Sequence, residues 1–187
     1  MTTSTASNGI DVGRLVATVQ AIGEDPSLAE FTFRAGSTWV GGTANVGEVR
    51  RFVHAGREDE SRGEPFVLHG DEPPVLLGAN AGPNAVELVL QALAFCYAVG
   101  FAANAAAKGI ELTRLDIDVE GDLDVRPFLG LTAARPGFTA VRARARVSSP
   151  NATRRQLEEL SRYVQETSPV RDCLANPVPV ETAIEVA

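Results

Sequence analysis

Along residues 88–103 the chain reads Leu-Val-Leu-Gln-Ala-Leu-Ala-Phe-Cys-Tyr-Ala-Val-Gly-Phe-Ala-Ala, apolar on every side. This predicts a core helix from about Asn84 to Lys108, closed by Gly109 as its C-cap. Asn84 suits the N-cap, and Glu87 three residues on completes a capping-box arrangement. Beyond the helix the periodicity changes to two. In Leu115-Asp-Ile-Asp-Val-Glu-Gly-Asp-Leu-Asp-Val125 the acidic residues alternate with apolar ones. Phe138 to Ser148 alternates again, with Val141, Ala143, Ala145 and Val147 on one face and Arg142, Arg144 and Arg146 on the other. Acidic and basic outer faces of this kind suit cross-strand pairing in an antiparallel sheet, with 126–136 as the connection.

A second helix is predicted over Thr153 to Thr167, buried through Leu157, Leu160, Tyr163 and Val164. A short helical turn at Pro169–Leu174 and a last strand at Val178–Val186 follow. Before the core helix, residues 1–9 read as a disordered tail, and Asp11 caps a helix to about Gly23 that Pro26 ends. Phe31 to Val40 reads as one strand, Gly41-Gly42 as a turn and Thr43 to Arg51 as the returning strand. Ala55 to Glu64 reads as a charged loop, Phe66–His69 as a third strand and Asp71–Val75 as a Pro-rich linker. This order is α+β, without repeats or βαβ units. It divides into a tail and accessory helix at 1–30 and a main domain at 31–187.

Length and composition add exclusions. A chain of 187 residues, 44% hydrophobic and 22% charged, can bury a core without disulfides or metals. Its net charge of −7 argues against nucleic acid as a partner. Arg50, Arg51, Arg57 and Arg62 are interleaved with Glu48, Glu58, Asp59, Glu60 and Glu64, as in a solvated loop. The first residues lack the basic start and apolar run of an export signal. The core helix carries Glu87, Gln91 and Asn104 and lacks flanking basic anchors, which argues against a membrane span. Two cysteines without an export signal point to a reducing cytoplasm as the expected location, where thiols are inert or catalytic. His54 and His69 have no metal-like spacing, and no metal or other cofactor is expected.

The candidate chemistry centres on Cys96 in the core helix and on the distant segment Ser168-Pro-Val-Arg-Asp-Cys173. Together with Trp39-Val-Gly-Gly, Glu72-Pro-Pro-Val-Leu-Leu-Gly, Gly82-Pro-Asn-Ala-Val-Glu-Leu, Glu120-Gly-Asp-Leu-Asp, Phe128-Leu-Gly-Leu and Pro136-Gly-Phe, these segments resemble the OsmC/Ohr family (osmotically inducible protein C and organic hydroperoxide resistance proteins) across 31–187. The resemblance implies an OsmC-like fold, with antiparallel sheets packed around a buried central helix in an intertwined homodimer. It also implies thiol peroxidase chemistry, with Cys96 as the nucleophile toward organic hydroperoxides.

Three positions depart from the family's peroxidases. Ser168 stands at the resolving cysteine's position, Thr43 at that of an arginine, and Val86 at that of a glutamate. Glu87 is one residue away, which rotates a helical side chain by about 100°. A capping-box role accounts for it at least as well. Cys173 is either a displaced resolving thiol or a packed side chain. Two functions follow: a peroxidase using Cys96 with an external or displaced thiol as reductant, or a non-catalytic dimer that keeps an apolar small-molecule pocket.

Overall fold

The computed structural model describes residues 6–186. It contains two compact units, one comprising Asp11–Val89 and the other Leu90 onward together with Ser7–Ile10.

Of the expected N-terminal tail, residues 1–5 lie outside the described residues. The rest is ordered, because Asn8-Gly9 is a turn sequence. Strands β1 (Ala6–Ser7) and β2 (Ile10–Asp11) pair around it, and both turn residues take positive φ, 53° and 76°. In the second unit the Asn8 amide then bonds backbone far along the chain. Its Nδ2 donates to Ile110 O and its Oδ1 accepts from Leu112 N, each at 2.9 Å.

In the first unit Asp11 caps helix α1 (Val12–Glu24) by accepting from Arg14 N. Strands β3 (Phe31–Phe33), β4 (Gly36–Gly41), β5 (Ala44–Val49), β6 (Phe52–His54), β7 (Arg57–Asp59) and β8 (Phe66–Gly70) follow. They form two antiparallel sheets, in the orders β3-β6-β7 and β4-β5-β8. The single strand expected over Phe31–Val40 is therefore two, broken at Arg34-Ala35 so that each half joins a different sheet. The expected charged loop contains β7, because Ala55-Gly56 adopts φ 47° and 73° and folds Arg57 back onto His54. Phe31 stacks on His54 with centroids 4.3 Å apart, which aligns β3 with β6.

Helix α2 (Ala85–Ala107) starts with Asn84 and Glu87 in a reciprocal capping box, each backbone N–H bonded at 2.9 Å to the other side chain. In the second unit its residues Leu93, Tyr97, Phe101 and Ala105, spaced four apart, are buried. The helix closes at Gly109, whose φ is 65°, while Ile110 N bonds Ala105 O at 2.9 Å.

Strands β9 (Arg114–Asp122) and β10 (Ala140–Ser148) pair antiparallel with acid facing base as expected, in a register that sets Glu120 opposite Arg142 and Asp116 opposite Arg146. Arg142 bridges Glu120 and Asp122 at 2.6 and 2.7 Å, while Arg146 bridges Asp118. All are exposed, so they favour the register more than they add stability.

Thr153 caps α3 (Arg154–Glu166) with a capping box to Gln156, and Ser168 caps α4 (Pro169–Ala175). Leu160 and Val164 of α3 are buried as expected, but Tyr163 is 45% exposed and carries Lys108 Nζ 5.0 Å above its ring. Helices α2 and α3 approach closely at Gly100, where a Cβ would lie 2.9 Å from Val164 Cγ1. The strand expected at Val178–Val186 is not formed. That segment has no pairing among the described residues, and Val178, Val180, Ile184 and Val186 are exposed. Alternation gives a segment the faces of a strand, but a strand also needs a neighbouring edge for its backbone groups.

Candidate functional site

Cys96 is carried by α2 between exposed Phe95 and buried Tyr97, and is itself half-buried. The α3–α4 junction delivers Ser168 to it. The Leu160 and Val164 stripe seats α3 against α2, and Thr167 ends that helix by bonding Tyr163 O through both its N–H and its hydroxyl. Pro169 then opens α4 with Ser168 as N-cap. Ser168 is only 5% exposed, and its Oγ lies 3.1 Å from Cys96 Sγ.

The same Oγ accepts the Arg171 N–H at 3.1 Å, leaving the hydroxyl hydrogen free for the sulfur. A thiol can donate to or accept from a hydroxyl, whereas a thiolate can only accept. Ionisation of Cys96 would therefore fix Ser168 as the donor. The Arg171 charge acts on the neighbouring Tyr97 hydroxyl, opposing the burial that pushes this phenol upward.

The other sequence candidates have other surroundings. Cys173 is exposed, on a face of α4 that lines a groove to which Cys96 does not contribute. Glu87 is exposed, its carboxylate occupied by the cap of α2. In the first unit Thr43 donates from Oγ1 to Asp71 Oδ1 at 2.6 Å.

Asp71 was not singled out by the sequence, where it is one acidic residue at the head of a Pro-rich stretch. It is 4% exposed and gathers a whole loop. Besides Thr43 it accepts from Glu72 N at 2.8 Å, Ala79 N at 2.9 Å and Ala81 N at 3.0 Å. The Thr43 hydroxyl foremost, then the Ala81, Glu72 and Ala79 N–H groups, hold its carboxyl at about 2, below the ordinary 3.8. The following Gly78 and Asn80, residues that suit such loops, were the available signal.

A folded-state pKa below the unfolded one contributes stability that is full above the ordinary value and lost as pH falls toward 2. Asp71→Asn should therefore lower the melting temperature at pH 7 and converge on wild type between about pH 4 and pH 2. A gap in melting temperature that persists at pH 2 would show that the ionised carboxylate does not organise the loop.

The α+β layout, with a long apolar helix carrying a cysteine beside the residue that opens a late short helix, defines an OsmC-type protein. The family model described as OsmC-like protein matches residues 78–183, more than half of the chain, and the chain belongs to this family. No curated protein matches it in sequence.

Solved structures share the fold. An OsmC-like protein from Mycoplasma pneumoniae is 17% identical, with TM-score 0.59 over 78% of this chain and 89% of that one. An OsmC-like protein of unknown function from Vibrio cholerae is 16% identical, with TM-score 0.53 over 75% and 91%. An organic hydroperoxide resistance protein OsmC from Legionella pneumophila is 17% identical, with TM-score 0.51 over 76% and 88%.

Proposed function

We propose that this chain is a cytoplasmic, homodimeric thiol peroxidase that reduces organic hydroperoxides with Cys96 alone and takes its reducing equivalents from an external thiol. The observation that carries this reading is the 3.1 Å contact between Cys96 Sγ and Ser168 Oγ. A buried hydroxyl at that place can stabilise a thiolate but cannot form a disulfide. In the first step the Cys96 thiolate attacks one peroxide oxygen and the O–O bond breaks. The alkoxide leaves and takes up a proton as the alcohol, and Cys96 becomes sulfenic acid. An external thiol then attacks the sulfur and releases water. A second thiol attacks the mixed disulfide, freeing an external disulfide and the Cys96 thiolate.

Consumption of cumene hydroperoxide in the presence of dithiothreitol tests this. Cys96→Ala should lose the thiol-dependent rate entirely, and Cys173→Ala should keep it. Equal rates for wild type and Cys96→Ala would instead leave the non-catalytic, small-molecule-binding reading.

The dimer is supported by apolar surface left bare in a single chain. Phe95 and Val99, four apart on α2, are 65% and 68% exposed. By length and composition alone α2 could cross a membrane, its most apolar stretch having a mean hydropathy of 1.8. In an OsmC-like fold it is the central helix, and a second copy would cover its open face. Light scattering at micromolar concentration should give twice the chain mass, and a monomer mass would refute the dimer.

A further inference from the structure

The second unit contains a groove of about 580 Å³, to which neither Cys96 nor Ser168 contributes. This size is within the usual range for small-molecule sites. One wall is the α2 stripe Leu93, Tyr97 and Phe101, and the floor is the inner face of β10 at Val141, Ala143 and Ala145. Ala143 and Ala145 point to the side that a core would cover, yet both are exposed. The groove thus has an apolar wall and floor, with Thr139, Ser161 and Gln165 adding polar groups to its lining.

Its charge is one-sided. Arg135 and Arg171 line it, and no Asp or Glu does, in a chain whose net charge is −7. Among the described residues neither guanidinium has a carboxylate partner; of the other fourteen arginines eight have one and six have none. Arg135 makes one long bond to Phe138 O, at 3.4 Å. The nearby polar groups are already engaged: Gln165 Nε2 donates to Ser161 O and Oγ, and Thr139 Oγ1 to Asp122 O. Two cations without carboxylate partners, in a groove with an apolar wall and floor, suit a ligand with an anionic head and a hydrocarbon body.

We propose that this groove is a binding site for an amphipathic organic carboxylate, whose head is held by Arg135 and Arg171 and whose apolar body lies on Tyr97, Phe101 and the alanines of β10. Cys96 and Ser168 do not line it, although Arg171 and Tyr97 adjoin them, and binding does not depend on peroxidase activity. Cys173, which lines the same groove, reports its occupancy.

Calorimetric titration of the full chain with octanoate, acetate and 1-octanol tests the assignment. Octanoate should bind at least about tenfold more tightly than acetate, which lacks the body, or octanol, which lacks the charge. Arg135 and Arg171 are exposed, so R135Q/R171Q should fold normally, and it should bind octanoate about tenfold or more weakly. Octanoate should also slow iodoacetamide labelling of Cys173 in wild type but not in R135Q/R171Q. C96A should bind octanoate like wild type even if hydroperoxide turnover is absent from both. The proposal is overturned if octanol or acetate matches octanoate, or if the double variant binds as wild type does. Unprotected Cys173 overturns it too, as does a second copy of the chain filling the groove and preventing binding.

Discussion

Ser168→Cys is expected to close a disulfide with Cys96 after one equivalent of peroxide, where wild type leaves Cys96 as sulfenic acid, which a second equivalent takes to sulfinic acid. The two side chains already touch, with Sγ and Oγ 3.1 Å apart, and a disulfide needs about 2.05 Å between sulfurs. A modest χ1 adjustment at the head of α4 supplies the difference. The crosslink joins the middle of α2 to the α3–α4 junction, and closing a loop of that length should stabilise the oxidised protein by roughly 4 kcal/mol in the chain-entropy picture. Non-reducing mass spectrometry reads the bond, and melting with and without reductant reads the stability. A wild-type bond between Cys96 and Cys173 would overturn this picture, because the exposed thiol of α4 would then be the resolving group.

A comparably large effect is expected from Leu160→Ala. Leu160 is fully buried in the cluster with Leu93, Tyr97, Phe101, Ala105, Ile110 and Val164. It also belongs to the α3 stripe that holds Ser168 beside Cys96. Truncation removes its contacts and leaves a cavity, a loss of about 2–5 kcal/mol. For a chain of this size that is a fall in melting temperature of roughly 5–15 °C. Because α3 would lose its seat, Ser168→Cys in this background should close its disulfide more slowly. Val75→Ala, at a residue 85% exposed, is the matched control and should change stability by less than about 0.5 kcal/mol. A melting temperature for Leu160→Ala equal to that control would mean that the α2–α3 packing does not carry the second unit.

Local grammar wrote much of this fold into the chain. Asp11, Asn84 with Glu87, Thr153 with Gln156, and Ser168 before Pro169 all cap helices where their types and spacings place them. A cap depends on residues within one turn and is therefore legible locally. Strict alternation with opposite charges likewise predicted the antiparallel pairing of β9 and β10, acid facing base. The family resemblance carried by Cys96, Ser168 and the glycine motifs gave the OsmC-like α+β fold, which the family model and the solved structures bear out.

Other features depend on contacts between distant residues. Phe31–Val40 has the alternation of one strand, but its halves serve two sheets because their partners lie beyond the break. Val178–Val186 has strand alternation and no edge to pair with among the described residues. Nothing in the spelling of Asp71 shows that four donors converge on it. No spacing brings Ser168 within 3.1 Å of Cys96, 72 residues earlier, or leaves Arg135 and Arg171 unpaired beside one groove. Caps and faces need only neighbours along the chain, whereas a thiol's environment, a buried carboxylate and a ligand groove arise where separated segments meet.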